Sequence, residues 1–165
     1  MQTVDSKLVL GSVETLLREL LFGPAPGASW IINPGDAGLI GELAGISAAD
    51  ASRSLIPNRS SIAGHADHVG FSLQLGNRWA QGEDAYSGAD WASSWKRQAV
   101  DEANWEEIRR GLKSEAERWL EVVVQPREWE PMALTGTIGS AAHVAYHLGA
   151  LRQLLGQLEA RAYGV

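Results

Sequence analysis

Four long stretches of this 165-residue chain repeat apolar residues at intervals of three and four, and none sustains an alternation at every second position. The first spacing keeps one face of an α-helix apolar, whereas a half-buried strand needs the second. The pattern predicts an all-α fold, a four-helix bundle with a long connection between its first two long helices. The first helix is expected over residues 4–22, from about Val4, with Val9, Val13, Leu16, Leu17 and Leu20 on one stripe. Pro24 and Pro26 end it, because proline cannot continue helical hydrogen bonding. The second begins at Ser60 or Ser61 and runs to about Gln81 on Ile62, Ala66, Val69, Leu73 and Ala80. The third covers residues 101–124 on Trp105, Ile108, Leu112, Trp119 and Val123, with Glu106 and Arg110 paired one turn apart. The last covers residues 137–162 on Val144, Leu148, Leu151, Leu155 and Leu158. In the long connection Asn33-Pro34-Gly35-Asp36 reads as a turn, residues 39–46 as a short helix, and Ser47 as the cap of another helical turn. Residues 91–98 read as irregular or as a short helix.

A chain of this length is most simply one domain, residues 1–165, able to bury a core. Its formal charge of −6, with no run of basic residues, argues against nucleic-acid binding. The absence of cysteine excludes disulfides, thiolate nucleophiles and cysteine-held metal, and fits a reducing cytoplasm. Residues 7–28 superficially resemble a signal peptide, but Glu14, Arg18 and Glu19 interrupt the apolar run, and an amphipathic helix is the better reading. No stretch approaches the roughly 18 uncharged apolar residues needed to span a bilayer. A soluble, cytoplasmic protein with no membrane partner is expected.

All four histidines fall in two pairs at helical spacing, His65/His68 and His143/His147. Residues four apart differ by only about 40° around a helix, so His143 and His147 project together. His147 lies within the apolar face and His143 at its edge. Two neutral imidazoles on adjacent turns can bind one metal ion, although the same spacing also suits hydrogen-bonded interface histidines. A third ligand from the second long helix would complete an open three-histidine site. Periodicity does not choose firmly there: His65 lies about 60° from the centre of the apolar stripe and His68 about 120°, a lean towards His65.

The segment from Ser61 to Val69, with its Gly64-His65-Ala66-Asp67-His68 centre, is followed by Asn77-Arg78-Trp79, Asp90-Trp91 and Trp105. Together with His143-Val144-Ala145-Tyr146-His147-Leu148-Gly149-Ala150-Leu151-Arg152, it resembles the DinB/YfiT-like family over nearly the whole chain. That resemblance implies a four-helix bundle, often homodimeric, holding a divalent metal through one histidine of helix two and two of the last helix. Carried over position by position, it implies His68, His143 and His147 as ligands, with His65 as an alternative or a neighbour behind them. One departure is Ala150, where many relatives have glutamine. The resemblance further implies a metal-dependent enzyme that transfers a low-molecular-weight thiol or hydrolyses a small substrate in stress or detoxification metabolism. Nickel, zinc, iron and manganese all remain open.

A divalent ion held by three neutral imidazoles keeps its full charge, and so acidifies bound water or thiol. The lack of cysteine suits thiol transfer, because the thiol would arrive with the cosubstrate. No general base stands out: Asp67 and Glu83 read as solvated residues. Arg78, Arg97 and Arg152 are candidates to meet an anionic substrate, although surface positions are the commoner explanation. Trp105 and Trp119 belong to the core stripe, whereas Trp91 and Trp95 are placed to line a pocket mouth or a dimer contact. Ser140, near His143, lacks an acid partner for a triad. A non-catalytic, dimeric metal-binding stress protein is the alternative to an enzyme.

Overall fold

Side-chain caps set four of the helix starts. Asp5 accepts from the backbone N–H of Lys7, Ser47 from Asp50, Ser61 from Gly64 and Asp101 from Asn104, at 2.8–3.1 Å. Each satisfies an amide that the helix itself leaves free. The structure, a computed structural model, describes residues 5–162; Val4, the expected first helical residue, lies outside them. The described residues form six helices and no strand: α1 (Ser6–Phe22), α2 (Leu39–Ala44), α3 (Ala48–Ala51), α4 (Ile62–Ala80), α5 (Glu102–Val123) and α6 (Pro131–Ala162). A 3-10 turn, Ser93–Trp95, lies between α4 and α5. Among the described residues no helix is long and apolar enough to cross a membrane.

Helix α4 packs against both α5 and α6, and α1 packs against the same two. The expected stripe of α5 is fully buried, and Trp105 within it donates its indole N–H to the Ile46 carbonyl at 2.7 Å. On α1 the buried face is rotated from the expected one: Leu10 and Leu21 are buried, while Val9 and Leu16 are only partly covered. Helix α6 starts six residues earlier than the apolar pattern indicated. Pro131 occupies its first position, where no amide is required, and Met132 is 85% exposed, so this first turn has no amphipathic signature to read. Glu106 pairs with Arg109 rather than Arg110. Arg109 is pinned by the Ala44 carbonyl at 2.8 Å and by the Trp105 ring, which brings its guanidinium to the carboxylate.

Glu19 is only 3% exposed. Its carboxylate accepts the consecutive backbone N–H groups of Trp30, Ile31 and Ile32 at 2.7–3.0 Å. Burial alone would raise its pKa, but the three amides together hold it below the ordinary carboxylate value. This contact folds the start of the long connection back onto α1. A second anchor is steric. Gly23 ends α1 at a positive φ of 96°, and Gly38 lies so close that a Cβ there would sit 2.4 Å from the Gly23 and Phe22 amides. A larger residue at 38 would force the two backbones apart.

Candidate metal centre

The elements that carry the histidines are locked to one another before any side chain of the site is considered. Gln98 accepts the Ser61 N–H at 2.8 Å, accepts the Ser61 hydroxyl through its own carbonyl at 2.7 Å, and donates to the Trp95 carbonyl at 2.6 Å. The first turn of α4 is thereby tied to the 3-10 turn. Gly64 makes room for this clamp, since a Cβ there would lie 2.3 Å from the Gln98 amide. The α4–α6 packing then faces His65 and His68 towards His143 and His147.

Three ring nitrogens converge. His143 Nε2 lies 3.2 Å from His68 Nε2 and 3.1 Å from His147 Nε2, and His68, His143 and His147 each offer a ligand atom within 4.8 Å of the others. This group can hold a metal ion. His68 and His147 are buried and His143 is partly so. His65 stands behind the group, its Nδ1 2.9 Å from His147 Nδ1. The lean of the periodicity towards His65 fails against this geometry: the α4 rotation about its axis is set by packing on two helices at once, which an apolar stripe alone underdetermines.

Hydrogen bonds fix how two of these rings present themselves. Ser94 spends its only proton on the Trp91 carbonyl at 2.7 Å, so it must accept from His68 Nδ1 at 2.8 Å. That assignment leaves the His68 Nε2 lone pair facing the other histidines. Placing the proton shared by His65 and His147 on His147 Nδ1 does the same for His147 Nε2. Outer partners of this kind orient metal-binding imidazoles and hold their tautomers. Trp95 stacks on His68 with ring centroids 4.0 Å apart and meets His65 edge-on at 5.4 Å. Trp91 is farther from His68, at 5.9 Å.

All four imidazoles resist protonation. Burial, then the neighbouring His143, His65 and His68, push His147 down to about 3. Burial, then His143 and His65, push His68 down to about 4, with Asp67 acting in the opposite direction. Burial also lowers His65 and His143. The neutral form is the one that ligates metal.

A cavity of about 420 Å³ opens over the histidines. Its remaining lining is Asn58, Arg59, Ser60, Trp95 and Tyr146, the last stacked edge-on against His147 at 5.0 Å. The arginines singled out in the sequence are absent from this wall. Arg78 pairs with Glu83, Arg97 with Asp67 and Glu107, and Arg152 with Asp36 and Glu42. Asp67 is therefore not a solvated side chain but one arm of an ion pair, with Arg97 Nε at 3.0 Å. Ser140 donates to the Thr137 carbonyl and accepts from Trp119, and takes no part in the site. Two further residues belong to the site, Ser94 and Arg59. Ser94 reaches His68 through tertiary contact alone, whereas Arg59 carried a local signal, a Pro-Asn turn just before the cap of a histidine-bearing helix. No protein-family model, curated protein or solved structure matches the chain.

Proposed function

We propose that the protein is a metal-dependent enzyme of the DinB/YfiT-like four-helix-bundle type, with a divalent ion held by His68, His143 and His147. The observation that carries this reading is the convergence of three histidine Nε2 atoms beneath a cavity large enough for a small substrate. The donor set is three neutral nitrogens, which suits nickel, zinc or iron, with manganese, an ion that favours oxygen ligands, the weakest fit. Such an ion supplies Lewis acidity, lowering the pKa of a thiol or water and polarising a carbonyl. The protein's own side chains hold the site in shape: Ser94 orients His68, His65 orients His147, and Trp95 covers the His68 ring. Among the described residues no carboxylate lines the cavity to act as a base. This favours transfer of a low-molecular-weight thiol, which ionises more readily than water, over hydrolysis. A role in stress or detoxification metabolism in the cytoplasm, and a homodimeric state, belong to the same proposal and rest on the sequence motifs.

Metal analysis of protein purified without a histidine tag is the first test, with one ion per chain expected in wild type and none in His147→Ala. Conjugation of an electrophile by several small thiols is the second. Turnover that His143→Ala leaves unchanged would refute the thiol-transfer reading.

A further inference from the structure

Charge is distributed very unevenly between the two grooves that flank α4. On one side Arg97 lies in a cleft of about 250 Å³ together with Asp67, Glu107 and Glu115, and its guanidinium is already paired with two carboxylates. On the other side, in the histidine cavity, Arg59 is, among the described residues, the only formally charged side chain of the wall. It is exposed, and among the described residues its guanidinium has no carboxylate partner. In a chain of net charge −6 this is a cavity whose described lining holds no acidic group. An ion bound to three neutral imidazoles would add two further positive charges that nothing in the wall offsets.

The backbone that presents Arg59 is fixed. Its N–H donates to the Ile56 carbonyl at 3.1 Å, closing a four-residue turn. Pro57 takes the second position and Asn58, at φ 58°, the third, the residue preferences of a type II turn. Asn58 and Ser60 flank Arg59 on the same wall and add uncharged polar groups. The turn leads directly into the Ser61 cap of α4, so Arg59 is held relative to His65 and His68 by the same Ser61–Gln98 clamp that positions the histidines.

We infer that Arg59 is an anion-recognition residue, and that the cavity takes a small molecule carrying an oxyanion, a carboxylate or a phosphate, seated against Arg59 while another part of the molecule reaches the three histidines. The inference rests on the metal-site reading above and adds the substrate class to it. A guanidinium presents paired donors that match the geometry of a carboxylate or phosphate, and the excess positive charge draws in an anion.

The test uses untagged protein loaded with cobalt(II), titrated with malonate and with the isosteric but uncharged malonamide. Cobalt absorption and tryptophan fluorescence follow binding, since Trp95 lies against His68. Wild-type protein is expected to bind malonate and to bind malonamide at least about tenfold more weakly, the scale of a charge-assisted hydrogen bond at a partly exposed position. Arg59→Ala is expected to lose about tenfold in malonate affinity with cobalt content unchanged, and Arg59→Lys to recover part of it. Arg53→Ala, a surface arginine paired with Asp50, serves as the control and is expected to bind as wild type. Inorganic phosphate in the same titration decides between the two oxyanions. Equal malonate affinity in wild type and Arg59→Ala, or equal binding of malonate and malonamide, overturns the inference. Failure to bind cobalt overturns the metal reading instead. The malonate titration is then repeated on the metal-free protein, where Arg59-dependent binding sustains the anion site and its absence removes it.

Discussion

Two of the places where the molecule buries polar groups are opposites. At Glu19 one carboxylate meets three backbone N–H donors, all supplied by the chain itself within thirteen residues. At the histidine centre the Nε2 atoms of His68 and His147 both meet His143 Nε2, at 3.2 and 3.1 Å, and among the described residues no backbone group takes part. Both sites depress a pKa, but to contrary effect. The amides at Glu19 stabilise a charge, whereas burial and like neighbours at His68 and His147 exclude one. A buried polar group whose partners are complete contributes to the fold. Ring nitrogens that converge on one another can also hold a cation from outside, and that distinction sets the histidine group apart as the candidate site.

Substitutions should separate the two regions cleanly. The largest effect is expected from His147→Ala, which abolishes stoichiometric metal binding while leaving the metal-free protein folded, as read by metal analysis and circular dichroism. Glu19→Ala should do the reverse. Stripping the acceptor from three amides is expected to cost about 2–4 kcal/mol in urea unfolding, with metal content preserved. Loss of metal in Glu19→Ala at temperatures where it is folded would show that the two sites are coupled. Ser94→Ala removes the partner of His68 Nδ1 together with the bond to the Trp91 carbonyl, and about a 10–100-fold loss in metal affinity is expected, on the order of effects at outer partners of metal ligands. His65→Ala, acting through His147, should retain metal and weaken it less. Retained metal in His68→Ala would reassign the third ligand to His65.

Acid sharpens the comparison further, because the two regions lose stability in different windows. For the histidines of the metal-free protein the folded-state pKa lies below the ordinary value of 6.5, at about 4 for His68 and about 3 for His147. Between those limits the unfolded chain binds protons that the folded chain does not, so stability falls as pH drops below 6.5. Glu19 keeps its charge below the ordinary 4.5, so its contribution is complete above that value and disappears as pH falls through the lower folded value. Urea titrations from pH 7 to pH 3 should show His147→Ala flattening the upper part of this decline and Glu19→Gln flattening only the lower part.

The helices were legible because their signals are local. Apolar spacing, caps and proline breaks located α4 and α5 to within two residues, and the turn at Asn33–Asp36 closes as its residues indicate, with the Asp36 N–H on the Asn33 carbonyl at 3.0 Å. The first turn of α6 was not legible, because an exposed turn that opens on proline shows no periodic face. Asp67 and Arg97 are thirty residues apart, and nothing local announces their pairing.

By itself the sequence determined that the chain is helical, that its histidines lie in two pairs on two helices, and that no cysteine takes part in any chemistry here. Local hydrogen bonding and side-chain periodicity suffice for that much. The packing of the helices was needed to bring His68 Nε2 onto His143 and His65 Nδ1 onto His147, to make Glu19 an internal anchor, and to set Arg59 rather than Arg78, Arg97 or Arg152 at the cavity. Those outcomes depend on how far each helix is rotated against its neighbours and on which loops pack over it. These quantities arise from simultaneous contacts between distant segments, and they have no signature along the chain.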